Sequence, residues 1–241
     1  MSAEQSFTSP IEFVRAVERY YAALAVHANA ETGFGGSLLY AGALDNETRA
    51  LVAAANVAGA ATLAVAADAA TQKQATRDGI ADFLVTSLDE ALRILKNEVR
   101  KHSTVAVCVA ASPAELEREM LERGVVPDLV TAGVAPLFPA ARSIEALPMC
   151  QPAVRLEWQV SAAPALWMPK LDEIARGCLS LEDAVAHRWL RLASRYCGRA
   201  AMGLRVLRCA PSVAEEFSAR VAAGIVDGSI GTPVEVRTTT D

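Results

Sequence analysis

The 241-residue sequence has no long hydrophobic run, and no stretch approaches the roughly 20 apolar residues that cross a bilayer. Hydrophobic residues make up 52% of the chain, but alanine supplies much of that share, which indicates closely packed helices and not a membrane partner. The N-terminal residues lack the basic-then-apolar order of a secretory signal, since Glu4 and polar residues come first. We therefore expect a cytoplasmic protein.

Metal-binding and catalytic patterns are also missing. The five cysteines include no CxxC pair and have no nearby histidine, and the three histidines lie far apart, which excludes a zinc motif or a disulfide framework. No hydroxyl nucleophile lies in an elbow pattern and no carboxylate pair is placed for acid–base work, so the sequence predicts no metal site and no catalytic residue. The net charge of −5 argues against a nucleic-acid partner.

Residues 37–131 carry a repeated pattern in which a continuous apolar run is followed by a helical period. The apolar runs are 38–41, 61–67, 83–85, 105–109 and 129–130. Runs too continuous for a one-sided strand are typical of a parallel sheet covered on both faces. The sequence predicts a doubly wound, mostly parallel Rossmann-like α/β sheet, with an N-terminal helix before it and a C-terminal α/β extension after it. The predicted segments are 1–36, 37–132 and 133–241.

The N-terminal helix is predicted to begin at Ser9 and Pro10, where serine caps the helix and proline takes the first helical position. Its adjacent Tyr20 and Tyr21 suit a stacking platform or, as we predict, a face that packs on the core or on a second subunit. A similar apolar face around Trp189 supports the expectation of a homo-oligomer. Three glycines at positions 33, 35 and 36 precede the first strand, so we interpret them as a linker and not as a phosphate loop.

The turn after the first strand is where the diphosphate of a dinucleotide would meet free backbone N–H groups at a helix start. Only Gly42 remains of the glycine pattern that this binding needs, and Asp45, Asn46 and Glu47 cap the helix instead. Acidic side chains stabilise a helix start by about 0.3–1 kcal/mol each, and they repel a diphosphate. The turn therefore argues against ordinary dinucleotide binding.

Two later positions complete a candidate ligand cleft. Asp68 ends the second apolar run, where an acidic residue either holds an adenine ribose or caps the next helix, and we favour the cap. Ser112 begins a capping box with Glu115. The candidate cofactor-binding residues are Gly42, Asp45, Asn46, Asp68 and Ser112.

The segment after residue 131 is rich in proline. Six prolines between positions 136 and 169 predict a series of turns, interrupted by a strand over 154–160. The aromatic residues Phe138, Trp158 and Trp167 in this segment are expected to form either a pocket wall or a subunit contact.

Four arginines recur along one face of a predicted helix. This face suits a clamp for phosphate or carboxylate groups or, as we favour, a solvent-exposed surface whose side chains cover apolar residues. The four are Arg188, Arg191, Arg195 and Arg199.

Four stretches between residues 39 and 131 resemble the cofactor domain of urocanase, the urocanate hydratase family. They are 39–42, 53–68, 88–92 and 119–131, and the last follows the family's ERGV-x-PD-x-VT order. The resemblance implies a Rossmann-like fold. It also implies a tightly bound NAD, which in the family acts as an electrophile on the imidazole ring of urocanate before water adds.

The chain departs from the family at the positions that would hold this cofactor. The family's glycine-rich run falls on residues 43–48, and its cofactor-holding glutamate, arginine and asparagine fall on Ala66, Thr71 and Ser112. The DQTSAHDP run that lies against the nicotinamide is replaced by residues 132–139. The resemblance therefore implies the family's fold without its polar cofactor contacts.

We predict a non-catalytic module without a cofactor, which binds a small molecule or a protein partner. The alternative is an NAD-dependent, urocanase-like hydratase (a lyase) or another NAD-binding enzyme. The surviving fold and Asp68 support that alternative.

Overall fold

The computed structural model describes residues 9–29, 32–148 and 152–240, which fall into two compact units. The first unit holds the described residues of Tyr20–Leu147. The second combines Ser9–Arg19 with the described residues after Leu147. Helix α1 (Pro10–Ala25) contains the boundary between them. Cys150, one of the five cysteines, lies outside the described residues.

The first unit is built on a six-stranded sheet in which every neighbouring pair of strands is parallel. The spatial order of the strands is β3-β4-β2-β1-β5-β6. Their bounds are β1 Leu38–Ala43, β2 Ala61–Val65, β3 Phe83–Val85, β4 Ala106–Val109, β5 Leu129–Thr131 and β6 Arg142–Ile144. The predicted doubly wound α/β class is confirmed.

Four helices connect these strands. They are α2 Asn46–Ala58, α3 Ala69–Arg77, α4 Leu88–Arg100 and α5 Pro113–Glu122. Helices α2 and α3 carry the chain in one direction along the sheet, and α4 and α5 carry it back. Because parallel crossovers are right-handed, the two pairs lie on opposite faces.

Alternate residues of the strands build the core under α4 and α5. Leu63 of β2 and Val107 of β4 are buried there with Leu95 of α4 and Met120 of α5. This alternation follows from strand geometry, which points successive side chains to opposite faces of the sheet. The inner strands β1, β2, β4 and β5 are buried on both sides, as their continuous apolar runs predict, whereas the edge strands β3 and β6 are partly exposed.

The direction of winding reverses next to β1. The chain first builds β2, β4 and β3 on one side of β1 and then returns to place β5 and β6 on the other. In open parallel sheets, ligands bind beyond the carboxyl ends of the strands at such a reversal. From the topology, a ligand is therefore expected at the carboxyl ends of β1 and β5.

The second unit contains a three-stranded antiparallel sheet in the order β8-β7-β9. Its strands are β7 Val154–Gln159, β8 Leu204–Cys209 and β9 Glu235–Thr239, and its helices are α6 Pro164–Cys178, α7 Ala184–Tyr196 and α8 Pro211–Val226. Trp158 is fully buried and its ring lies 4.7 Å from that of Phe217. No helix among the described residues is long and apolar enough to cross a membrane.

Helix α6 and strand β6 correct the prediction of a run of turns after residue 131. Pro164 is the first residue of α6, where a missing N–H removes no helical hydrogen bond. Pro169 lies within the helix, which continues past it to Cys178. Phe138 and Trp158 are buried inside their own units, so neither offers an exposed ring to a second subunit. Trp167 is half-buried in α6, with the Nζ atom of Lys170 4.5 Å from its ring centre.

Two ion pairs join α1 to the antiparallel sheet within the second unit. The guanidinium of Arg15 donates to both carboxylate oxygens of Glu157, at 2.5 and 2.7 Å. Arg208 of β8 donates to Glu18 at 2.8 Å. Both carboxylate side chains are only 3% exposed. A carboxylate removed this far from water needs its cationic partner, so these pairs hold the first turns of α1 to this sheet.

Arg15→Ala should therefore lower the free energy of unfolding by about 3 kcal/mol, because Glu157 would stay buried without its bidentate partner. Urea unfolding followed by tryptophan fluorescence measures the change. Arg118→Ala is the matched control, since its pair with Glu122 is exposed on both sides and is worth less than about 1 kcal/mol. Equal effects of the two substitutions on the free energy of unfolding would contradict the stabilising role of the pair of Arg15 and Glu157.

Candidate functional site

The carboxyl edge of the parallel sheet brings the predicted site residues to three neighbouring strands. Gly42 lies in β1, and Asp45 and Asn46 begin the helix that follows it. Asp68 stands before α3, after β2, and Ser112 stands before α5, after β4. Because β1, β2 and β4 are adjacent and parallel, all five residues lie along the same edge.

Helix α2 begins with a capping box. The side chain of Asp45 accepts a hydrogen bond from the N–H of Thr48 at 2.9 Å, and the hydroxyl of Thr48 accepts one from the N–H of Asp45 at 2.8 Å. Glu47, in the first turn, accepts a hydrogen bond from the hydroxyl of Tyr20 at 3.1 Å. The predicted acidic cap is confirmed for Asp45, which places a carboxylate at the start of α2.

The next two helix starts along the edge are capped in the same way. Asp68 accepts from the N–H of Thr71 at 2.8 Å, and hydrogen bonds from the side chain and backbone of Thr71 lower the pKa of Asp68. Ser112 and Glu115 form a reciprocal box, and the hydroxyl and N–H of Ser112 lower the pKa of Glu115. Asp68 and Glu115 therefore remain charged at neutral pH and add to the negative charge of Asp45.

Gly42 and Val134 meet at the point where the winding of the sheet reverses. Gly42 has a φ of 76° and lies at a break in the register between β1 and β2. A methyl group added at Gly42 would lie 3.2 Å from a methyl carbon of Val134 in the loop after β5. The space beside the first turn is thus filled by a side chain of the same unit.

The loop that carries Val134 is anchored in the core. Phe138 is 2% exposed, and its ring meets the ring of Tyr40 edge-on with centres 6.0 Å apart. The hydroxyl of Tyr40 donates to Glu117 of α5 at 3.0 Å. Burial, and to a lesser extent the charge of Glu117, raises the pKa of Tyr40, so its phenol stays protonated and serves this contact.

The sequence did not reveal the role of Val134. Its contact with Gly42 joins two loops that are far apart in the chain, and neither residue has a distinctive chemistry. The one available signal was the single glycine at the end of β1, which predicts a backbone conformation or a close approach that a side chain would disturb.

Residues 19–136 match the family model described as the urocanase Rossmann-like domain. This segment belongs to the urocanase family of Rossmann-like domains. The match contains β1 to β5 and all five candidate site residues, and the second unit contributes only one residue, Arg19, to it.

In this urocanase-type domain, the positions that correspond to the family's cofactor-holding residues make internal contacts. Ala66 donates its N–H to Val109 at 3.1 Å and accepts from the side-chain amide of Gln72 at 2.7 Å. Thr71 donates its N–H to Asp68, and Ser112 caps α5. These three residues complete helix starts and strand ends.

The residues at this edge do not fit a dinucleotide diphosphate. Such a group binds free N–H groups at a helix start and is stabilised by positive potential there. Here the N–H groups of Thr48, Thr71 and Glu115 already donate to side chains of their own helices. The carboxylates of Asp45 and Asp68 stand where the phosphates would approach, and Val134 fills the space beside Gly42.

The contact between Gly42 and Val134 can be tested by adding a single methyl group. Gly42→Ala should destabilise the unit by more than Gly124→Ala, because both positions have a left-handed backbone but nothing lies within 4 Å of the added carbon at Gly124. The shared backbone strain is worth about 1–2 kcal/mol. The destabilisation by Gly42→Ala beyond that by Gly124→Ala is the excess due to the contact. In a Val134→Ala background this excess should fall by about 0.5–1 kcal/mol, which a double-mutant cycle in urea measures. An excess that Val134→Ala leaves unchanged would contradict the contact.

Proposed function

We propose that this chain is a non-catalytic module, in which a urocanase-type Rossmann-like domain binds a small molecule or a protein partner in place of NAD. The observation that carries the proposal is the carboxyl edge, where three helix starts are capped by the chain's own side chains. A fold can be retained while its site changes, so function is argued from this edge and not from the fold.

In this proposal the five edge residues form the surface that such a ligand would meet. Asp45 and Asp68 are exposed, Asn46 and Ser112 are half-exposed, and Gly42 lies beneath them. Carboxylate and amide oxygens accept hydrogen bonds and attract positive charge. A neutral hydrogen-bond donor, a cationic small molecule or a basic protein segment therefore suits this edge better than a phosphate does.

The second candidate function is an NAD-dependent enzyme, either a urocanate hydratase-like lyase or another NAD-binding enzyme. The match to the urocanase Rossmann-like domain favours it, because the resemblance to this family implies an NAD site. The position of the winding reversal at β1 and β5 is also the place where such sheets bind nucleotides. The geometry at Asp45 and Val134 supports the first candidate.

The proposal includes a cytoplasmic, homo-oligomeric protein without a nucleic-acid partner. The cysteines of the described residues are free and buried thiols, which suits a reducing compartment. Trp189 is buried and donates to the carbonyl of Val206, so it supplies no surface for another subunit. Phe83 and Leu84, in the edge strand β3, are 48% and 44% exposed and support self-association at that edge.

We expect NAD and NADH at millimolar concentration to leave the melting temperature unchanged. A ligand present at 100 times its dissociation constant would add about 2.7 kcal/mol to the free energy of unfolding. That gain would raise the melting temperature by several degrees, which differential scanning fluorimetry detects. A saturable rise with NAD would favour the enzyme, while a rise with a cationic or neutral small molecule measured in the same way would support the module.

We expect multi-angle light scattering to give a mass that is a multiple of 25.4 kDa. The double substitution Phe83→Lys with Leu84→Lys should shift the mass toward the monomer, because charged residues on an edge strand block strand pairing. Leu121→Lys with Val126→Lys is the matched control, since these residues are similarly exposed outside the strands. A monomer mass for the unmodified protein would contradict the proposed homo-oligomer.

A further inference from the structure

The second unit contains a long stretch without negative charge. Residues 184–214 include six arginines and no aspartate or glutamate. Two of the six find carboxylates elsewhere in this unit, since Arg205 pairs with Asp172 at 2.9 Å and Arg208 pairs with Glu18 at 2.8 Å. The remaining arginines lie in α7 or in the short 3-10 turn that follows it.

Three of those remaining arginines form an exposed row, which we call the arginine row: Arg191, Arg195 and Arg199. In the described part of the chain none of them forms an ion pair with a carboxylate, and Arg195 instead lies over the ring of Tyr196 at 5.3 Å. Two exposed arginines on other helices do form such pairs. Arg118 pairs with Glu122 and Arg220 pairs with Glu216, each one turn away on the same helix.

We propose that the arginine row is a docking surface for an acidic helical segment of a partner protein. Arg191 and Arg195 lie four residues apart in α7, which places them about 6 Å apart along its axis, and Arg199 follows in the 3-10 turn after this helix. Acidic residues one turn apart on a facing helix have the same spacing as Arg191 and Arg195, so these two guanidinium groups would each meet one carboxylate in a planar, two-pronged hydrogen bond. Arg199 adds a third positive charge at the end of α7. The sequence predicts a solvent-exposed face here, and the exposure of all three residues makes this face available for docking.

Charge also distinguishes this partner from a nucleic acid. The whole chain carries a net charge of −5, so its overall field repels a long polyanion and leaves only a local patch of three positive charges. A short acidic helix needs to contact only that patch. The inference rests on the proposed function only in treating the chain as an interaction module, and it does not involve the carboxyl edge of the first unit.

The test measures the binding of a fluorescent, alanine-rich helical peptide with glutamates four residues apart to the full chain by fluorescence anisotropy. The peptide is expected to bind at low salt and to lose affinity as the salt concentration rises, because exposed ion pairs are screened. The triple variant R191E/R195E/R199E should bind at least about tenfold more weakly, as rim charges that turn repulsive oppose association. R77E/R93E/R100E removes three exposed arginines of the first unit, changes the net charge equally, and should keep at least about half of the affinity.

Because glutamates near the end of α7 also oppose its helix dipole, the neutral variant R191Q/R195Q/R199Q is measured beside the first and should weaken binding at least about fivefold. Circular dichroism confirms that each variant is folded. Equal loss in the control triple would overturn the proposal, because binding would then depend on net charge alone. Tighter binding of a poly(dT) oligonucleotide than of the peptide would overturn it in favour of a nucleic acid. Neither result would bear on the carboxyl-edge proposal, which the NAD measurement tests separately.

Discussion

The start of every helix leaves backbone N–H groups that need an acceptor, and at the carboxyl edge of this parallel sheet the acceptors belong to the chain itself. Asp45, Asp68 and Ser112 serve α2, α3 and α5, and Ser87 serves α4 in the same way. A nucleotide-binding sheet leaves such groups free for phosphate. At α2, α3 and α5 one of these N–H groups donates to the capping side chain, and the carboxylates of Asp45 and Asp68 make the edge negative. Both features oppose the binding of a diphosphate.

The loop after β5 also opposes a bound diphosphate at this edge, through packing and not through charge. Phe138 holds the loop against Tyr40 in the core, and Val134 then lies beside Gly42 at the reversal of winding. The hydrogen bond from Tyr40 to Glu117 joins this arrangement to α5, whose start is capped by Ser112. Packing, capping and charge at this edge are therefore parts of one arrangement. The second unit has its own anchors in buried carboxylates paired with arginine, and its surface charge is of the opposite sign along α7.

Much of the first unit follows from local sequence, because β1 to β5 are continuous apolar runs and the starts of α2 to α5 have their own caps. The pairing order of the strands follows from handedness and connection length only after those elements are known. The contact of Val134 with Gly42 did not follow, since it depends on tertiary packing between two apolar positions without a periodic signal. Helix α6 was missed because Pro164 and Pro169 predict turns when read alone, whereas the first is favourable at a helix start and the second is tolerated within it. Strand β6 was missed because its three residues, Arg142–Ile144, are too few to show a pattern.

The central claim is that the N–H groups of Thr48, Thr71 and Glu115 at the carboxyl edge are held by the chain's own side chains and are not available to a diphosphate. An ¹⁵N–¹H NMR titration with inorganic pyrophosphate, following the amide signals of Thr48, Thr71 and Glu115, tests it most directly. The account predicts that these three signals do not move beyond the small, uniform drift caused by ionic strength. Saturable shifts at these amides would show that the caps yield to phosphate and would contradict the account.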